Sequence, residues 1–165
     1  MVKKIILNLS RFIFATVFLF SGFVKAIDPL GSTYKIQDYL ASFGPSFDMF
    51  SFLAFPGAIF LSALEFIIGF NILLGIYRRE TSILALIFMA VMTPLTLYIA
   101  LYNPVTDCGC FGDALIIGNW TTFYKNIVLS AMAIVLFINR KKIVPVFSEK
   151  IRWFLSIYTF IFTIT

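Results

Sequence analysis

Residues 5–27 read IILNLSRFIFATVFLFSGFVKAI. At 1.5 Å of rise per residue, an apolar run of roughly 23 residues crosses about 30 Å of hydrocarbon as one helix. A secretory leader is the competing reading for an N-terminal run flanked by Lys3 and Lys4. The run is too long for the apolar region of a leader, it carries Arg11, and no small-residue cleavage site follows it. It is read as a first transmembrane span, with Arg11 and Lys25 as its only charges.

Working outward, a second apolar run begins near Phe52 or Pro56 and ends at Tyr77, before Arg78-Arg79-Glu80. A third runs from about Ser82 to Tyr102 and contains Pro94, which removes one backbone hydrogen bond and bends a helix, with Thr93 and Thr96 available to satisfy freed carbonyls. A fourth starts around Trp120 and stops at Asn139, before Arg140-Lys141-Lys142. A fifth run, Trp153 to Thr165, has roughly 13 residues and is too short to span; the native chain is expected to continue beyond Thr165. Between the first two spans, Asp28 to Phe50 holds Pro29, Gly31, Gly44 and Pro45 as breakers. Tyr34, Ile36, Tyr39 and Leu40 fall there at near-helical spacing opposite Lys35, Gln37 and Asp38, which suggests a short interfacial helix. The fold class expected is an all-α membrane protein: a four-helix transmembrane bundle over residues 1–142, with a partial fifth apolar segment beginning in 143–165.

Composition agrees. The chain is 61% hydrophobic and 13% charged, with 21 Phe residues, against roughly 25% charged in an ordinary soluble domain. The net charge of +5 is spread in twos and threes between apolar runs, not on one face as nucleic-acid binding requires. The chain has no His, which removes His-ligated haem, His-bound zinc and His general-base chemistry. If the spans alternate, Lys3, Lys4, Arg78, Arg79 and Arg140 to Lys142 share one side. Asp28, Asp38, Asp48, Asp107 and Asp113 share the other, with Lys25, Lys35 and Lys125 as its only lysines. The positive-inside rule then places the N-terminus in the cytoplasm of an inner-membrane protein and the loops at 28–50 and 103–121 outside.

Chemistry concentrates in two places. The two cysteines of the chain form Cys108-Gly109-Cys110 in the outward polar loop. A structural bridge across one residue restrains almost no chain entropy, and a strained or exposed bridge is the exchange-prone kind. Redox exchange is therefore the leading reading, with a structural or incidental pair behind it. Metal binding comes last, because two thiolates without His are too few soft ligands. The second place is Glu65, in the middle of Phe60-Leu61-Ser62-Ala63-Leu64-Glu65-Phe66-Ile67-Ile68-Gly69, where an ionised carboxylate is costly. Arg11 and Lys25 are the candidate partners, and depth along the helices does not choose between them.

The run Phe20-Ser21-Gly22-Phe23-Val24-Lys25-Ala26-Ile27-Asp28-Pro29 resembles the opening signature of DoxX-like membrane proteins, and residues 64–75 resemble their second helix. Asp107-Cys108-Gly109-Cys110-Phe111-Gly112 is similar to the cysteine motif of the methylamine utilisation protein MauE, which shares that fold. The likeness covers about residues 5 to 140. It implies a four-helix bundle and, for the MauE branch, help with disulfide formation or electron transfer in exported proteins, in the setting of amine metabolism. It carries the redox role to Cys108 and Cys110 and a charged pair to Lys25 and Glu65. Quinone-linked membrane oxidases of this chemistry commonly relay electrons through two cysteine pairs, whereas this chain has one. The function expected is a thiol–disulfide oxidoreductase that exchanges with a thioredoxin-like or exported client protein and passes electrons to quinone or another membrane carrier. The rival is a non-catalytic membrane subunit or assembly factor that binds a partner through its outward loops.

Overall fold

The computed structural model describes residues 2–42, 44–105 and 108–145. The apolar segment from Trp153 to Thr165 lies outside them. Four helices are long and apolar enough to cross a membrane: α1 (Val2–Ile27), α4 (Ala54–Leu74), α5 (Arg78–Tyr102) and α6 (Asn119–Ile138). Two shorter ones, α2 (Pro29–Ser42) and α3 (Pro45–Asp48), connect α1 to α4. No strand occurs among the described residues. The chain is a multi-pass membrane protein, all-α as its sequence predicts.

Two local expectations are corrected. Pro29 and Gly31 do not break the interfacial helix. Pro29 is the first residue of α2, where a missing N–H costs nothing, and the Asp28 carboxylate accepts from the Gly31 N–H at 2.9 Å, capping the turn. The third span begins at Arg78, earlier than Ser82, after Tyr77 turns the chain in a left-handed conformation (φ 43°). Around Pro94, Thr96 Oγ1 bonds the carbonyls of Met92 (2.9 Å) and Thr93 (3.0 Å). Thr93 instead reaches across to Ser130 Oγ at 2.7 Å on α6.

α1 lies antiparallel along α4, and α5 along α6. The first crossing depends on two glycines. A Cβ on Gly22 would stand 2.6 Å from the Phe66 N and 2.8 Å from the Ser62 O, and one on Gly69 2.8 Å from the Leu19 N. Small residues let membrane helices approach closely, where packing and interhelical hydrogen bonds replace the hydrophobic drive that lipid does not supply. Behind the crossing, Phe14, Phe18, Ile68, Ile72, Met89, Leu129 and Leu136 form the buried centre. Phe14 stacks on Phe18 at 4.2 Å between centroids. Phe12, Phe60, Ile87, Val91 and Ile134 point outward, which in lipid is the favourable side for them.

The antiparallel pairing gives the bundle a basic end and a cysteine end. At the basic end, Arg11 donates to the carbonyls of Ile72 (2.8 Å), Leu73 (2.6 Å) and Val144 (3.2 Å), and Arg78 donates to that of Ile143 (2.6 Å). Ile143 is buried against the core, so the chain stays on the bundle just past residue 142.

Candidate functional site

Gly109, at φ +62°, turns the loop between α5 and α6 so that Cys108 and Cys110 flank it. A side chain there would be strained by that backbone and would also meet the stem of Lys35 on α2 at 2.9 Å. The loop does not stand free in solvent, as its polar sequence suggests. It is tucked between α2 and the cysteine-end third of α1. The Tyr39 hydroxyl of α2 donates to the Cys108 carbonyl, and the Phe111 ring packs on Phe20 at 5.5 Å. Cys108 is buried, at 7% exposure, while Cys110 is half-buried. Both are thiols.

Beneath the loop lies the buried acid. Of the two cations considered for Glu65, the structure pairs it with Lys25, whose Nζ stands 2.7 Å from Oε1 and 2.8 Å from Oε2. Lys25 also donates to Ser21 Oγ at 3.3 Å. The three ammonium protons thus have three acceptors. Ser21 Oγ is 2.6 Å from Glu65 Oε2 and 2.5 Å from the Cys110 carbonyl, so its one proton serves two acceptors and ties the ion pair to the cysteine backbone. Arg11 takes no part in this cluster; it holds the far end of α4.

The two thiols differ. The hydrogen bond from Cys108 lowers the pKa of Cys110, with help from the charges of Lys125 and Lys25 and against burial and Glu65, to about 7 from its ordinary value of 9.0. Cys108 is pushed up by that same hydrogen bond, by burial and by the charge on Cys110, against a smaller pull from Tyr39 and Lys125. The pair can do what thiol exchange needs: one sulfur held as a nucleophile near neutral pH and a second within reach to resolve the product.

Three contributors went unassigned in the sequence. Ser21 sits four residues before Lys25, on the same helix face, which is a readable signal. Lys125, a lone lysine seven residues into α6, is readable as an intramembrane charge. Tyr39 was legible only as part of the interfacial helix. Asp107 lies outside the described residues. Among the described residues no group of three or more Cys, Asp or Glu side chains gathers as for a metal. The cavity beside Cys110, about 20 Å³ of free space, takes a water, not a quinone ring.

The family model described as methylamine utilisation protein MauE matches residues 3–139. No curated protein and no solved structure matches the chain.

Proposed function

This chain belongs to the MauE family, and from that premise we propose that it is a thiol–disulfide exchange protein of the inner membrane, with its N-terminus in the cytoplasm and its cysteine loop at the outer face. The observation that carries the reading is the asymmetry of the cysteines: Cys110 half-buried with its pKa lowered to about 7, Cys108 buried and hydrogen-bonded to it. Positive charge at Lys4, Arg78, Arg79 and Arg140 to Lys142 supports the orientation.

The Cys110 thiolate attacks a disulfide of an exported thioredoxin-like or client protein. One partner sulfur leaves as a thiolate and takes up a proton, and a mixed disulfide forms. Cys108 then loses its proton, attacks Cys110 and releases the second partner sulfur as a thiolate, which takes up a proton; the two protons gained match those given up by Cys110 on ionising and by Cys108. Two electrons and two protons have moved, so the partner holds a dithiol and this chain a Cys108–Cys110 disulfide. Run in reverse, the same steps give a disulfide to the partner, in the direction set by the two potentials. The family's description as a methylamine utilisation protein supports amine metabolism as the setting, and in this reading the exchange serves an exported protein there.

The test is a trap. Cys108→Ser removes the resolving sulfur, so membranes carrying it should accumulate a Cys110-linked, reductant-sensitive adduct with an exported protein. Cys110→Ser should accumulate none. If neither variant traps a partner and the double variant leaves exported disulfides unchanged, exchange is excluded and a non-catalytic membrane subunit remains.

A further inference from the structure

Lys125 enters the bundle on α6. Its Nζ lies 4.1 Å from the centroid of the Phe111 ring, and Phe111 is the residue next to Cys110. Lys125 and Cys110 line one cavity together with Ser21, Glu65 and Asn126. The cluster around that cavity carries two ammonium groups, Lys25 and Lys125, and one carboxylate, Glu65, already engaged by Lys25 at 2.7 Å. These three groups sum to +1, with Lys25 and Glu65 buried and Lys125 half-buried, where charge without a counter-charge is costly.

We propose that Lys125 is the positioning cation of Cys110, its ammonium and the Cys110 sulfur forming a thiolate–ammonium pair across this cavity that brings the buried cluster to neutrality. The pair deepens the exchange reading above and names the group that prepares its nucleophile. The groups that face it from each packed element are few. α1 supplies Lys25 and Ser21, α4 supplies Glu65, α2 supplies Tyr39 through Cys108 and Lys35, whose stem lies against Gly109, and the loop supplies Cys108 itself. α5 contributes Phe88, Met89 and Met92 to the cavity wall, none of which titrates. The free space, about 20 Å³, admits one water to solvate the pair. The Phe111 ring fixes the ammonium by cation–π attraction, which keeps a flexible lysine stem beside the sulfur when it could otherwise turn to the headgroup region.

The test is the pH profile of Cys110 alkylation by iodoacetamide, measured on the full chain in detergent with Cys108→Ser as background. It needs no partner protein. Lys125→Met keeps the stem and removes the charge; the midpoint should rise by about one unit, which from a starting value near 7 slows alkylation at pH 7 by about fivefold. Lys125→Arg should hold the parent midpoint. A Lys125→Met midpoint equal to the parent's overturns the proposal, and so does an Arg variant that shifts as far as Met. If Lys125→Met does not accumulate, Lys125→Gln is read by the same two criteria. A shifted midpoint without any trapped partner would sink the exchange function and leave the ion pair standing.

Discussion

At the basic end of α1, Arg11 sends its guanidinium to the carbonyls of Ile72 and Leu73 at 2.8 and 2.6 Å, the last turn of α4. At the cysteine end of the same helix, Lys25 sends its ammonium to Glu65 in the middle of α4 at 2.7 and 2.8 Å. The last carbonyls of a helix have no partner of their own and carry the negative pole of its dipole. A cation there is a cap, compensated by groups that are present whether or not the cation is. Lys25 and Glu65 are instead two full charges withdrawn from water, each tolerated only because of the other. The same kind of contact is therefore structural trim at one end and an obligatory unit at the other, and only the obligatory one touches the cysteine backbone, through Ser21.

The comparison breaks most visibly at Glu65. Glu65→Gln leaves the Lys25 ammonium buried against an amide and should cost about 3–5 kcal/mol of stability, read by unfolding in detergent. Lys25→Gln added to it should cost little more, because the pair acts as one unit. Fully additive losses would mean that the two ends of α1 do not differ in kind.

The helix crossing that sets both ends comes next. Gly22→Ala drives a methyl against the backbone of Ser62 and Phe66. It should cost about 1–3 kcal/mol, toward the upper figure because backbone cannot yield as a side chain can. It should also disturb the Lys25–Glu65 contact one turn away, seen as a changed rate of Cys110 alkylation. A stable variant with unchanged alkylation would show that the close approach does not govern the site.

The smallest effect belongs to Arg11. Arg11→Met removes hydrogen bonds to carbonyls near the polar end of the bundle and should cost about 1–2 kcal/mol. It should add to Glu65→Gln without coupling and leave the alkylation of Cys110 unchanged. Coupling between them would join the two ends that the structure keeps apart.

The sequence by itself determined the four spans, to within a few residues at their ends, and the basic end. Lipid leaves a chain no choice but internally bonded helices, so twenty apolar residues bounded by Arg and Lys can be read one segment at a time. It also marked Cys108, Cys110 and Glu65 as the candidates for chemistry, since both residue types are out of place in such a chain. The sequence did not decide which cation meets Glu65, or that the polar loop folds inward under Tyr39. Those follow from the relative depth of α1 and α4, fixed where Gly22 meets Ser62 and Phe66 and Gly69 meets Ala15 and Leu19. That register sets Ser21 level with Glu65, puts Lys25 one turn above it and leaves Arg11 against the last turn of α4. A depth counted along each helix separately cannot contain that information, because the contact belongs to the crossing and to neither helix alone.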